Sequence, residues 1–282
     1  MRDSFVVRTM TLAELEFALD WSTVEGWNPG LYDAPCYHVA DPNGFFMGFL
    51  DGEPVGCVFT CAYDARYGFL GWYLVLPEHR GKGFGTGIWQ AGMDHLGPRT
   101  VGIDAGLQHF DLYKQLGFRH AYYNHRYETV GRGGGAPDGR IVELAQLPYE
   151  QVAAYDLEVF AAPRHEYLRC WIQQPESVAL GILRAGQLAG YGVVRRARRS
   201  YKIGPLFADD GEVAEALLVA LLNRTPRDAP VVLDTPEANL AAGALAERHS
   251  MSLALKNSRM YLGEPPAIPV ERWFGVTNFE LG

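Results

Sequence analysis

The sequence predicts an α/β (α+β) fold built twice in tandem, each copy a mixed, mostly antiparallel sheet flanked by helices. Three observations predict it. Apolar runs of strand length alternate with stretches of helical periodicity, in the order β-α-α-β-β-β-α-β-α-β over residues 5–129. The same order returns over residues 141–281, and Leu50-Asp51-Gly52-Glu53-Pro54-Val55-Gly56 matches Leu183-Arg184-Ala185-Gly186-Gln187-Leu188-Ala189-Gly190, with one residue inserted before the turn. Between the copies, Gly131-Arg132-Gly133-Gly134-Gly135-Ala136-Pro137-Asp138-Gly139-Arg140 breaks all periodicity. The expected organisation is a first domain over 1–132, a linker over 133–140 and a second domain over 141–282.

Residues 5–9 read as a strand. Thr11 then caps a helix and Glu14 closes a capping box, with Leu12, Leu15, Phe17 and Leu19 as apolar positions. Glu25-Gly26-Trp27-Asn28-Pro29-Gly30 is neither strand nor helix, and 31–38 reads as a short helix. Strands at 45–50 and 55–62 join at Asp51-Gly52, a hairpin signal. A strand at 69–75 leads through glycines into a helix over 88–96. A strand at 101–104, a helix at 109–116 stopped by Gly117, and a strand at 118–129 complete the copy. The second copy reads as a strand at 141–144, helices at 148–160 and 164–172, and a hairpin of 178–183 with 188–195. A strand at 201–207, a helix at 213–222, a strand at 231–234, a helix at 237–249, and strands at 252–262 and 276–281 follow.

At 282 residues, 48% hydrophobic and 12% aromatic, the chain can bury a sizeable core. Its net charge of −8 is shared by both halves, which argues against a nucleic-acid partner and weakly favours a cationic or amine substrate. Cys36, Cys57, Cys61 and Cys170 have no metal-ligand spacing, so they are expected to be small buried residues in a reducing cytosol, with no metal. No signal peptide and no membrane-length apolar run is read, so a cytoplasmic protein without a membrane partner is expected. Oligomeric state leaves no trace in the sequence.

The chemistry centres on Leu74-Val75-Leu76-Pro77-Glu78-His79-Arg80-Gly81-Lys82-Gly83-Phe84-Gly85-Thr86-Gly87. A strand that ends in glycines and opens a helix suits an anion, because backbone N–H groups approach closely and the helix N-terminus is partly positive. The spacing fits neither the dinucleotide fingerprint nor the P-loop. Val75-x-Pro77-x-x-Arg80-Gly81-x-Gly83-x-Gly85-Thr86 resembles the coenzyme A loop of the GNAT superfamily of N-acetyltransferases. Over its full length the chain also resembles a bacterial subgroup with a second GNAT-like domain. That match rests on the 25–30 loop, on Arg259-Met260-Tyr261, and on the ending Phe274-Gly275-Val276-Thr277-Asn278-Phe279-Glu280-Leu281-Gly282.

The resemblance implies acetyl transfer from acetyl-CoA to a primary amine of a small molecule, by direct attack in a ternary complex. No Cys or Ser stands in an activated context for an acyl-enzyme. It implies coenzyme contacts from Leu74, Val75, Arg80, Gly81, Lys82, Gly83, Phe84, Gly85 and Thr86, and a strand ending at Val75 that splays from 101–104. A backbone N–H near Leu74 or Val75 would stabilise the oxyanion. Tyr113, in Leu112-Tyr113-Lys114-Gln115-Leu116-Gly117-Phe118, would protonate the leaving thiolate. Glu25 is the first candidate base, with Trp27, Asn28 and Tyr73 around the acceptor, and Tyr63, Asp64 and Tyr73 are weaker candidates for the base. One departure from the family pattern is Gly106, where an Asn often contacts pantetheine.

The second half lacks the glycine loop. Pro205-Leu206-Phe207-Ala208-Asp209-Asp210-Gly211-Glu212 puts three acids where phosphates would sit, and Ala246 stands at the Tyr position, although Asn239 is kept. One coenzyme site is therefore expected, in the first half. Arg195, Arg196, Arg198 and Arg199 are expected to face water at a hairpin turn, and His109, His120 and His125 lack ligand spacing. The apolar ending is expected to be an ordered strand against the first domain, with Glu280 structural. Two other readings stand beside this one: a non-catalytic acyl-CoA sensor, and a transferase using another acyl donor.

Overall fold

Residues 4–135 and 138–282 are described by the computed structural model, so Ala136 and Pro137 of the expected linker lie outside the described residues. The first half runs β1 (Phe5–Thr9), α1 (Leu12–Asp20), α2 (Ser22–Glu25), α3 (Asp33–Ala40), β2 (Phe45–Leu50), β3 (Glu53–Ala62), β4 (Tyr67–Val75), α4 (Phe84–Leu96), β5 (Thr100–Gly106), α5 (Phe110–Gln115) and β6 (Arg119–Val130). The second runs β7 (Ile141–Glu143), α6 (Tyr149–Val159), α7 (His165–Trp171), β8 (Ser177–Arg184), β9 (Gln187–Arg196), β10 (Tyr201–Ala208), α8 (Gly211–Arg224), β11 (Pro230–Pro236), α9 (Leu240–Arg248), β12 (Ser252–Leu262) and β13 (Trp273–Gly275).

Local chemistry explains the element ends. The Glu14 amide donates to Thr11 Oγ1 at 3.3 Å and the Thr11 amide to Glu14 Oε2 at 2.9 Å, so the capping box forms. Both hairpin turns, Asp51-Gly52 and Ala185-Gly186, have positive φ at both central residues, the type I′ geometry that matches strand twist.

The two copies share one sheet, in the order β1-β2-β3-β4-β5-β12-β6-β11-β10-β9-β8-β7, with β13 on β10. Each half gives its last long strand to the other. β12 lies between β5 and β6, and β6 pairs on its far side with β11. Residues 131–134, which span the expected domain boundary, dock on the second half: their amides donate to the carbonyls of Ala229, Leu222, Thr225 and Asn223 at 2.8–2.9 Å. One core, between α1, α3, α6 and α7 and the sheet, is common to both halves. On the opposite face α4 and α5 cover the first half and α8 and α9 the second.

Buried ion pairs cross between the halves. Asp104 clasps Arg259 at 2.7 and 2.8 Å, Asp234 clasps Arg126 at 2.7 Å through both oxygens, and Asp33 clasps Arg195 at 2.8 and 3.2 Å. Burial alone would raise Asp33, yet Arg195 and Lys202 hold its carboxyl below the usual range.

Three expectations are corrected. The arginines at the β9–β10 turn do not simply face water. Arg195 is buried, Arg198 pairs with Asp20, and Arg199 bonds the Gly26 and Trp27 carbonyls, so the turn receives the 26–31 loop. The ending is not a strand over 276–281. β13 stops at Gly275, and Asn278 Oδ1 then accepts the amides of Glu280 and Leu281 at 3.0 and 2.7 Å, removing donors that a ladder would need. The four cysteines are not all thiols. Cys36 of α3 and Cys170 of α7 form a disulfide, Cα–Cα 5.3 Å, across 134 residues of chain, while Cys57 and Cys61 are free and buried. No sequence spacing announces a bond over that distance. Among the described residues no helix is long and apolar enough to cross a membrane.

The bond makes a direct prediction. Denatured without reductant, the chain should show two titratable thiols, Cys57 and Cys61, and four after reduction. Cys36→Ser should lower stability by about 2–4 kcal/mol in urea unfolding, because the bond restricts a long loop of the unfolded chain. Four thiols without reductant would sink the assignment.

Candidate functional site

The candidate site grows from a defect in β4. On one side β4 pairs in parallel with β5 only at Tyr67, Gly68 and Phe69, opposite Thr100, Val101 and Gly102; beyond that the strands diverge into the expected cleft. On its other side β4 carries one extra residue, since Gly71 faces Phe59 but Leu74 faces Cys57. Trp72 absorbs the bulge with φ 45, a left-handed conformation that an aromatic residue rarely adopts. The bulge resets the alternation. Tyr67, Phe69, Trp72 and Leu74 pack toward the shared core, whereas Tyr73 and Val75 face α4. One strand therefore serves both faces of the cleft.

Beyond the cleft, Gly83 N-caps α4 with φ 90, a value that L-residues resist. The amides of Gly81, Lys82 and Gly83 join no backbone hydrogen bond among the described residues, and the first amides of α4 lack helical partners by construction. Nothing lies within 4 Å of where a Cβ at Gly81 or Gly83 would stand. Orphan donors, open space and a helix N-terminus fit a pyrophosphate. Arg80 turns back from this space. Its Nε donates to the Val75 carbonyl at 2.8 Å and its guanidinium pairs with Glu25.

The expected site residues separate into two groups. Tyr73, Trp89 and Tyr113 stand together on the α4 side: Trp89 contacts Tyr73 at 5.4 Å and Tyr113 at 5.8 Å between ring centroids. The Tyr73 hydroxyl lies where a Cβ at position 85 would sit, so Gly85 is needed there. The Tyr113 hydroxyl makes no hydrogen bond among the described residues. Burial, aided by Tyr73, pushes its phenol up to about 12, so it carries its proton at neutral pH. On the opposite face Trp27 packs edge-on against Trp72 at 4.8 Å. Glu25 is exposed at the rim, held by Arg80.

Others are engaged in the scaffold. Asn28 donates to Ser200 Oγ at 2.7 Å and accepts the Arg199 amide at 2.9 Å, so its amide is committed to joining the halves. Asp64 accepts the amides of Arg66 and Tyr67 in a turn, and Tyr63 donates to the Leu281 carbonyl at 2.8 Å. One residue beside the bulge escaped the sequence reading. Trp72 left no signal, since a bulge cannot be seen in a short apolar run. Glu280, read as structural, lies against the bulge: a Cβ on Gly71 would fall 2.3 Å from the Glu280 carbonyl oxygen.

The second half repeats the cleft and fills it. β10 pairs with β11 only at Tyr201, Lys202 and Ile203, and β13 then lies antiparallel along β10, Leu206 opposite Gly275 and Phe207 opposite Trp273. Asn239 donates to the carbonyls of Glu271 and Trp273 at 3.0 Å. Asp210 caps α8 with its own carboxylate, where the first half offers bare amides. Among the described residues no group of His, Cys, Asp or Glu could hold a metal ion.

Comparison with known proteins identifies the fold and the family. The chain is 27% identical over 273 residues to holothin acyltransferase of Pseudoalteromonas sp. (strain SANK 73390), covering 96% of this chain and 92% of that one. A protein from Pyrococcus horikoshii assigned as an acetyltransferase shares its fold, with TM-score 0.83, 24% identity, and 99% and 96% of the two chains covered. So does a tandem GNAT protein of the clavulanic acid biosynthesis pathway, with TM-score 0.65, 15% identity, and 93% and 100% covered. Residues 9–118 match the acetyltransferase (GNAT) family and residues 152–275 an acetyltransferase (GNAT) domain, one in each half. With both halves matched, the chain belongs to the GNAT acetyltransferases and is an acyltransferase of tandem GNAT build.

Proposed function

We propose that the protein transfers an acetyl group from acetyl-CoA to a primary amine of a small molecule, by direct attack, at one site in the first half. The carrying observation is the contrast between the clefts. The β4–β5 cleft opens beside unpaired amides, whereas β13 lies in the β10–β11 cleft. On this reading the amides of Gly81 to Gly85, with Lys82, Thr86 and Arg80, hold the pyrophosphate beside Phe84, and the Leu74–Val75 backbone meets the pantetheine arm. An amide there stabilises the oxyanion as the amine's nitrogen bonds to the carbonyl carbon and the C–S bond breaks. Tyr113 gives its proton to the departing sulfur, and Glu25 takes the proton from the amine. The ion pair couples the two loops, since a phosphate that draws Arg80 away releases the Glu25 carboxylate. Trp27 and Tyr73 flank the cleft on its two faces. A transferase using another acyl donor is the second reading, favoured by the relative named for acyl rather than acetyl transfer.

Acetyl-CoA-dependent thiol release across a panel of amines tests this. Tyr113→Phe should lower kcat by about 10²–10⁴ at unchanged acetyl-CoA affinity. The sign of the pH dependence follows from the raised phenol: the acid form persists below about 12, so wild-type kcat should show no alkaline fall before about pH 10. A fall near neutrality would assign the acid elsewhere. Gly83→Val, at φ 90, should weaken acetyl-CoA about tenfold or more by calorimetry and lower stability by about 1–2 kcal/mol, the cost of a left-handed L-residue. Equal affinity would remove the loop from the coenzyme site. Tight acetyl-CoA binding with no amine acetylated, but turnover with a longer acyl-CoA, would move the second reading ahead.

A further inference from the structure

Lys202 on β10 and Arg195 on β9 stand directly opposite each other in the antiparallel ladder. Like charges so placed repel, and Asp33 offsets part of that repulsion, since it clasps Arg195 and also acts on Lys202. Asp33 takes Nε and Nη2 of Arg195, and Nη1 is left buried without a partner. Lys202 is 3% exposed and makes no hydrogen bond or ion pair among the described residues. A buried ammonium with no hydrogen-bond partner is unfavourable, and Asp33 and Glu280 act on it only from beyond ion-pair distance, so these donors leave a place for an anionic group.

Other charges around Lys202 define the rest of the ligand. Asp234 is consumed by both donors of Arg126. Glu280 is the carboxylate left over: it is 7% exposed, it accepts the Tyr37 hydroxyl at 3.3 Å, and it acts on Lys202 from beyond ion-pair distance. Its backbone abuts Gly71 at the β4 bulge. A free anion at the two cations would be repelled by Glu280, whereas a ligand with an ammonium at that end would satisfy both charges.

We infer that the acceptor is a small amino acid whose carboxylate bridges Lys202 Nζ and Arg195 Nη1 and whose amine faces Glu280, toward the β4 bulge. This rests on the reading of the first half as the transfer site. It assigns to the second half a positive role, that of holding the acceptor's carboxylate.

The test uses the full chain and needs no turnover. The standard amino acids are screened by thermal shift at about 10 mM, and the best is titrated calorimetrically beside its decarboxylated amine and its deaminated acid. At least one amino acid should bind, and both truncated forms should bind about tenfold or more weakly. Lys202→Met, which keeps the side chain's length, and Glu280→Gln should each weaken the amino acid about tenfold while acetyl-CoA affinity holds. No amino acid bound, a deaminated acid bound equally well, or Lys202→Met binding like the wild type would overturn the inference. Thiol release with carboxylate-free amines, but no amino-acid binding, would overturn it and leave the transferase standing. Amino-acid binding with no thiol release would do the reverse.

Discussion

The exchange of β6 and β12 is the constraint on which the rest of the structure depends. β5 is held on one edge by a strand of the other half, so its other edge is free to leave β4 and open the cleft. Two buried ion pairs lock the exchanged strands, Asp104 with Arg259 between β5 and β12 and Arg126 with Asp234 between β6 and β11. Both are bidentate, and both join residues directly opposite in register. Sliding either strand by one residue would send one partner to the opposite face and leave a buried charge alone, which is far costlier than the pair is stabilising. The pairs thus select the register more than they add stability. Each half has its central strands completed by a strand of the other.

The same junction breaks the symmetry of the repeat. Each half has a strand whose ladder slips one step before its cleft, at Gly71–Trp72 in β4 and between Ile203 and Leu206 in β10. The last residues pass both places. Val276 and Thr277 cross close to Gly204, and Glu280 crosses close to Gly71. β13 has already filled the second cleft by then, with Asn239 on the Glu271 and Trp273 carbonyls, so the first cleft is the one left open. In both crossings glycine is required by close approach of another backbone rather than by a turn.

Much of this was legible in the sequence because it is locally determined. The capping box at Thr11, the two hairpin turns and the glycine loop depend on residues within a few positions of each other, and they form as read. The opaque features join residues far apart. Nothing near Cys36 announces Cys170, nothing near Asn28 announces Ser200, and the alternation of 69–75 gives no hint of a residue that breaks it. Exchange is silent for the same reason, since a swapped strand has the same pattern as an unswapped one. The expected strand over 276–281 failed on a local detail that apolar content masks, the competition of Asn278 for its neighbours' amides. Lys202 was the one distant signal within reach: a lysine inside an apolar strand opposite an arginine calls for an explanation that a water-facing turn does not supply.

A transferase must hold two ligands on opposite sides of one carbonyl carbon. A single strand accomplishes this only if its side chains near that carbon face both ways at a chosen step. The bulge at Trp72 provides the step, sending Tyr73 to the face with Trp89 and Tyr113 and Trp72 to the face with Trp27. Such a bulge in a free cleft edge has little to hold it against relaxation. Here it is backed by the Glu280 backbone at Gly71, by Phe59 stacked on Trp72 at 5.4 Å, and by Tyr63 bonded to the Leu281 carbonyl. The end segment that closes one cleft therefore stiffens the strand of the other. On the proposed reading, that is the second half's contribution to catalysis: it has given up a coenzyme site of its own and supplies rigidity, charge and a floor to its neighbour's.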